Sequence, residues 1–347
     1  MCKKYEVNQI KNNRFLFQKG DTSEKEVEVY LKKHPEDKQQ EFLLKTSEPS
    51  FSIDIGPLDY RPYFLLKFAD EAYTIGERTL PVEGMNNFRD MGGYEAENGK
   101  TVKWGMLYRS DHIYNATDAG VAYLKKLNIR TIIDYRSDDE LMKYPNKTID
   151  EDMKTYQLDP VAHAAELAAQ FTSSKKDEDI NLINKIIEQK EKGTLVNQAD
   201  VVLEQYRTFA NKENSKQAFG EMLRITANPD APAVVQHCRG GKDRTGFGAM
   251  LVLGILGVKK EDLVRDYMLT EKNRQERNRV KMEGYKKLTD DKEVLDHLYS
   301  FIDTRSEFIA TSIDTITQKY GSIERYVMEE LEITRAMIDT MKDMYLE

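Results

Sequence analysis

The chain has 347 residues, 39% of them apolar and 32% charged, with a formal net charge of −8. That length suits two domains with ample material for a core, and the acidic balance argues against a surface built for nucleic acid or anionic membrane. Two cysteines, Cys2 and Cys238, are too few for a disulfide framework or a structural zinc site.

No apolar run approaches the roughly 18 residues of a membrane helix, and the opening MCKKYEVNQ lacks the apolar stretch of a signal peptide. As written, the chain is expected to be cytoplasmic, with no integral membrane segment. Export stays open if a leader preceded it.

From about residue 12 to 82 the apolar positions alternate: Val27, Val29 and Leu31, then Phe51, Ile53 and Ile55, with further runs at 41–45, 62–68 and 72–80. Turn clusters at His34-Pro35-Glu36-Asp37, Ser47-Glu48-Pro49-Ser50 and Gly56-Pro57 separate them. The pattern predicts a small all-β domain over 1–82, an immunoglobulin-like sandwich. It carries no catalytic constellation, so it reads either as a partner-binding module or as a packing extension of the larger domain beyond it.

Past Gly84 strands alternate with helices, which predicts an α/β domain over 83–347 with a mainly parallel central sheet flanked by helices. A helix is expected from Thr117 to Leu127, strands at Ile129–Asp134 and Thr155–Leu158, and a helical insertion over about 162–228, where Ile180, Ile183, Ile186 and Ile187 keep helical spacing. Part of 162–195 is expected to cover the functional pocket; ordinary core helices are the alternative. The sheet resumes at Ala233, and helices are expected at Thr245–Leu256, Val258–Thr270, Lys292–Lys319 and Glu332–Leu346, with Ser322 capping a helix after the break at Tyr320-Gly321.

Residues 237–246 read HCRGGKDRTG, entered from the apolar run Ala233-Val234-Val235. A turn containing Gly240 and Gly241 can point backbone N–H groups inward as an anion nest, and the helix after it aims its positive end at the same spot. Both favour a phosphate dianion, and both favour a thiolate at Cys238. Arg244 can hold two phosphate oxygens and meet the charge that develops during attack on phosphorus. Arg239, Gly240, Gly241, Lys242 and Gly246 complete the cradle. Gly241-Lys242 is followed by Asp243 rather than Ser or Thr, so this is no Walker loop, and the GxGxxG spacing is absent. No nucleotide, metal or other cofactor is implied.

This loop resembles the HCx5RT signature of cysteine-dependent phosphatases in the protein tyrosine phosphatase superfamily, and in its HCxxGKDRTG form the bacterial atypical tyrosine/lipid phosphatase group. Asn87-Phe88-Arg89-Asp90-Met91-Gly92-Gly93-Tyr94, Leu107-Tyr108-Arg109-Ser110-Asp111 and Ile132-Ile133-Asp134-Tyr135-Arg136-Ser137 are similar, in order, to that group's NFRDxGG, YRS and DLRS segments. The resemblance covers residue 84 to about 347. It implies a tyrosine-phosphatase-like fold and a phosphocysteine intermediate: Cys238 is the nucleophile, Arg244 the phosphoryl holder, Thr245 a hydroxyl serving the sulfur, and His237 a structural support. Asp243 is the first choice of general acid, with Asp134 and Asp159 behind it. Asp90 is read as pairing with Arg89 or Arg136, while Arg89 and Arg109 either line the entrance or pair with Asp90 or Asp111. In lipid-active relatives a loop lysine at the place of Lys242 meets a further phosphate, which widens the expected substrates from phosphotyrosine, phosphoserine and phosphothreonine to phosphoinositides. Three rivals remain: a phytase-like inositol polyphosphate phosphatase, a sulfurtransferase with its shorter loop, and a non-catalytic phosphate-binding module.

Overall fold

The computed structural model describes residues 5–11, 13–20, 26–161, 178–195, 198–230 and 233–347. Its N-terminal part consists of strands β1 (Tyr5–Lys11), β2 (Arg14–Lys19), β3 (Val27–Lys32), β4 (Glu41–Thr46), β5 (Ser50–Asp54), β6 (Tyr63–Lys67) and β7 (Ala72–Ile75). They form two antiparallel sheets, β1-β2-β5 and β4-β3-β6-β7. Period-two alternation turns Phe15, Phe17, Phe51 and Ile53 of one sheet toward Val27, Val29, Phe64 and Leu66 of the other. Phe17 stacks on Phe51 and meets Phe64 edge-on, both with ring centroids 4.9 Å apart.

The second core surrounds a five-stranded sheet in the order β11-β10-β12-β9-β8, made of β8 (Arg89–Asp90), β9 (Leu107–Ser110), β10 (Thr131–Asp134), β11 (Lys154–Gln157) and β12 (Val234–His237). All pairings are parallel except β8 with β9. The register puts Gln157, Asp134, His237 and Ser110 in one row at the carboxyl edge. The connections leaving that row therefore converge, which is where open α/β sheets bind ligands.

Helices cover both faces: α1 (Asp118–Lys125), α2 (Asp138–Lys143), α3 (Glu178–Glu191), α4 (Gln198–Asn211), α5 (Glu213–Thr226), α6 (Asp243–Ile255), α7 (Lys260–Lys286), α8 (Lys292–Ile302), α9 (Ser306–Tyr320), α10 (Ile323–Glu330) and α11 (Arg335–Tyr345). The central one, α6, is buried along almost its whole length. Thr117 caps α1 and Ser322 caps α10, each hydroxyl accepting from the backbone N–H three residues on. Among the described residues no helix is long and apolar enough to cross a membrane.

Four departures from the sequence reading have physical causes. The helix expected to end at Thr270 continues to Lys286, because its buried face passes from Leu263 and Tyr267 to Thr270 and Arg274, a polar stripe that apolar periodicity does not register. The helix expected over 292–319 is broken between α8 and α9, where Asp303 is extended and the carbonyls of Phe301 and Asp303 accept from Lys242. The last helix starts at Arg335, capped by Thr334, instead of at Glu332. Within the expected insertion, α4 and α5 belong to the main core, with Phe209 and Phe219 against Phe247 of α6. Of the stretch expected to cover the pocket, 162–177 lies outside the described residues, and α3 packs through Ile183 and Ile186 against Tyr285, Val294 and Leu298.

The two cores are joined by buried polar contacts. Arg61, between β5 and β6, reaches Asp90 Oδ2 at 2.5 Å and also donates to the hydroxyls of Tyr63 and Tyr108 and to the Glu77 carbonyl. Trp104 donates from Nε1 to the Thr74 carbonyl in β7 at 3.1 Å.

Candidate active site

Cys238 comes directly after β12, is 3% exposed and has its sulfur unpaired in any disulfide. The next residues turn sharply into α6, and Gly241 takes φ +64, a left-handed conformation that only glycine adopts cheaply. A Cβ there would also lie 2.4 Å from the Ser110 carbonyl oxygen.

What aims the loop is the placement of its carbonyls. Asn87 donates from Nδ2 to the Gly240 and Gly241 carbonyls at 3.3 and 3.0 Å, and Arg109 donates to the Gly241 and Lys242 carbonyls at 2.9 and 3.4 Å. The backbone N–H of His112 donates to the Arg239 carbonyl. With the carbonyls held on the outside, the amides of Gly240, Gly241, Lys242, Asp243 and Arg244 are left without a backbone acceptor among the described residues. They form the inner lining of an anion nest at the start of α6.

Arg244 sits on the first turn of α6 and is fixed from α2. Its Nη1 and Nη2 donate to Glu140 Oε2 and Oε1 at 2.6 and 2.9 Å, and Nη1 also reaches the Tyr135 carbonyl at 2.9 Å. Glu140 is itself placed by a capping box, accepting from the Ser137 N–H while the Ser137 hydroxyl accepts from the Glu140 N–H. Burial opposes charge on both partners, but the pair outweighs it: the Glu140 carboxyl is held below its ordinary range and the Arg244 guanidinium above its own. A bidentate pair of this kind orients the guanidinium plane as well as charging it.

A buried cysteine thus lies among backbone amides at a helix start, six residues before a pre-oriented arginine. The family model described as the tyrosine phosphatase family matches residues 80–347. The chain belongs to that family. The family is one of enzymes, and this chain is a protein-tyrosine-phosphatase-like phosphatase. A protein of Cupriavidus necator named as a tyrosine-protein phosphatase is 25% identical over 264 residues, 76% of this chain and 88% of that one. The triple specificity protein phosphatase PtpB of Mycobacterium tuberculosis is 26% identical over 283 residues, 78% of this chain and 99% of that one. Among solved structures, P. aeruginosa TpbA, as a Cys-to-Ser variant in complex with pTyr, aligns over 49% of this chain and 71% of its own, with 18% identity and a TM-score of 0.23.

The remaining sequence candidates of this phosphatase fall into two sets. Asp243 opens α6 with its side chain 24% exposed and accepts from the Tyr206 hydroxyl at 2.9 Å; that hydroxyl lies 2.6 Å from the Tyr267 hydroxyl. Asp159 lies beyond β11, is partly exposed and accepts from the Val161 N–H. Thr245 is fully buried, and its hydroxyl has no hydrogen-bond partner among the described residues.

A second set buttresses the loop from behind. Asp134 is taken by Arg136 Nε and Nη2, by Asn146 and by His237 Nε2 at 3.4 Å, which removes it from the candidates for a mobile acid. His237 turns Nδ1 to the Cys238 carbonyl, and burial lowers its pKa against the opposing pull of Asp134. Arg89 and Arg109 do not line the entrance. Both are buried and share Asp266 of α7, at 3.3 and 2.6 Å. Asp90 pairs with Arg61 in place of Arg89 or Arg136 and accepts from the Gly92 and Gly105 N–H groups. Asp111 accepts from the N–H groups of Asn86 and Asn87. Lys242 turns its ammonium to the Phe301 and Asp303 carbonyls at 3.2 and 2.7 Å.

Glu140 and Arg274 went unread in the sequence. The Ser137-x-x-Glu140 spacing was the available signal for the first. Arg274, 6% exposed on α7, lies flat against the loop: a Cβ on Gly240 would be 2.9 Å from its Nη1. Among the described residues no group of three or more His, Cys, Asp or Glu side chains could hold a metal ion.

Asp266 carries a testable pH dependence. Burial raises its carboxyl, but Arg89 and Arg109 outweigh that and bring it down to about 2. A depressed carboxylate contributes stability that is complete above its unfolded pKa near 4 and is lost as pH falls toward 2, roughly 2–3 kcal/mol in all. The acid limb of the unfolding free energy should therefore be shallower in Asp266→Asn than in the wild type between pH 4 and 2. Parallel limbs would deny Asp266 this role.

Proposed function

We propose that this phosphatase hydrolyses phosphate monoesters through a phosphocysteine on Cys238, with phosphotyrosine as the first substrate and phosphoserine, phosphothreonine and phosphoinositides as further ones. The carrying observation is the loop whose carbonyls are tied outward by Asn87 and Arg109 above a buried cysteine, with Arg244 oriented by Glu140. The Cys238 thiolate attacks phosphorus and the ester P–O bond breaks, while Asp243 delivers the proton to the leaving oxygen. Water then attacks the phosphocysteine, Asp243 takes back the proton, and the P–S bond breaks with Thr245 donating to the departing sulfur. Arg244 and the loop amides hold the equatorial oxygens through both steps.

The acid assignment is tested by leaving group. Asp243→Asn should lower kcat on an alkyl phosphate roughly 100-fold or more, and on 4-nitrophenyl phosphate by a far smaller factor, because a nitrophenolate leaves without a proton. Equal losses on both esters would make Asp243 structural and return the role to Asp159.

The N-terminal sandwich is read as immunoglobulin-like. Its first, second and fifth strands share one sheet and its third, sixth and seventh the other, the A-B-E and C-F-G arrangement with the fourth strand moved across. Its buried contacts through Arg61 and Thr74 favour a packing role over a free partner-binding role.

A further inference from the structure

The residue expected to meet a second phosphate, Lys242, is committed to the carbonyls of the α8–α9 break. The rim of the loop holds a different cation. Arg274 lies with Nη1, Cζ and Nη2 at 2.9, 3.2 and 3.3 Å from the position of a Cβ on Gly240. That Cβ direction leads from the loop to the guanidinium, which lies within electrostatic reach of Cys238 and Asp243.

Arg274 is 6% exposed, yet it makes no hydrogen bond with a described residue, and no carboxylate of one lies within 4 Å of it. The negative groups acting on it, Asp111, Asp243 and Cys238, do so from farther away. One turn along α7, Arg277 adds a second guanidinium, whose pKa burial and the charges of Arg274 and Arg239 lower to about 10. Arg239 stands over the Tyr144 ring at 5.2 Å. Three guanidiniums thus gather beside one loop in a chain of net charge −8. A buried guanidinium with its fork unused is costly unless an anion is brought to it.

We propose that Arg274, backed by Arg277, is the specificity-determining residue that reads a second phosphate on the same compact scaffold as the one being cleaved. The scaffold is short because Arg274 touches the loop itself. A peptide side chain such as glutamate beside a phosphotyrosine is held a ring's length above that level, whereas a cyclitol with phosphates on adjacent carbons places both anions at it. This rests on the phosphatase reading for the position of the scissile group but not for turnover.

The test is equilibrium binding in the full chain carrying Cys238→Ser, so that it is independent of catalysis. Calorimetry with inorganic phosphate and with a soluble inositol bisphosphate bearing adjacent phosphates gives a ratio of affinities. Adding Arg274→Gln should lower that ratio roughly 10- to 100-fold, and Arg274→Lys by less, since it keeps the charge without the fork. Adding Lys242→Gln should leave the ratio in place. An unchanged ratio in Arg274→Gln, or an equal loss for both ligands, overturns the proposal. So does an equal effect on a peptide with glutamate beside phosphotyrosine. With the same headgroup displayed on phosphatidylcholine vesicles, a matching loss identifies the headgroup as what is read, while a loss confined to vesicles assigns Arg274 to the lipid surface and overturns the subsite.

Discussion

Cys238→Ser is expected to lower kcat for 4-nitrophenyl phosphate by on the order of 10⁴-fold or more while leaving oxyanion affinity within about tenfold of the wild type. The two effects separate because the sulfur and the bowl are built independently. The bowl consists of backbone amides oriented by Asn87 and Arg109, plus an arginine oriented by Glu140, and none of these contacts involves the cysteine side chain. A serine hydroxyl in its place would need a base. His237 cannot serve, since Nδ1 faces the Cys238 carbonyl and Nε2 faces Asp134 and Asn146. Steady-state kinetics and a calorimetric titration with inorganic phosphate on the same preparation check this. Full turnover by the serine variant would remove the covalent step, and a wild type that binds oxyanion without turning over any ester would be a binding module.

The strand, turn and helix around Cys238 were legible in the sequence because the signal is local: Cys238, Gly240, Gly241 and Arg244 lie within seven residues, and a strand and a helix start mark the two ends. The sandwich strands were legible for a related reason, since Phe15, Phe17, Phe51 and Ile53 show the period of a half-buried strand directly. The groups that aim the loop were not. Asn87 and Arg109 act on carbonyls more than 130 residues away, and their partners could be any of several residues until the sheet register fixes which edge they share. Asp266, Thr270 and Arg274 lay hidden for a different reason: they repeat at helical spacing along a buried face, but as polar residues, so a search for apolar periodicity ends the helix where they begin. Asp90 was read as a partner of Arg89 or Arg136, whereas its cation, Arg61, comes from the sandwich-bearing part of the chain.

That last pairing should produce the largest stability change of any single substitution outside the loop. Arg61 and Asp90 are 3% and 0% exposed at the side chain, and their contact crosses between the two cores. Arg61→Met fills similar space but strands the Asp90 carboxylate without a countercharge, and it leaves the Glu77 carbonyl and two tyrosine hydroxyls without their donor. Breaking a buried pair from one side costs roughly 3–5 kcal/mol, which for a chain of this size lowers Tm by on the order of 10 °C. Trp104, the one tryptophan of the chain, reports on this junction through its bond to the Thr74 carbonyl, whereas far-UV circular dichroism reports on all the helices. Arg61→Met should lower the Trp104 fluorescence transition by at least as much as the dichroism transition. Adding Asp90→Asn should recover part of the loss, because the buried charge is then gone while an amide oxygen can still accept from Gly92 and Gly105. A shift below about 2 °C in the Trp104 transition would mean that this pair is solvated in solution and that the sandwich docks by apolar contact alone.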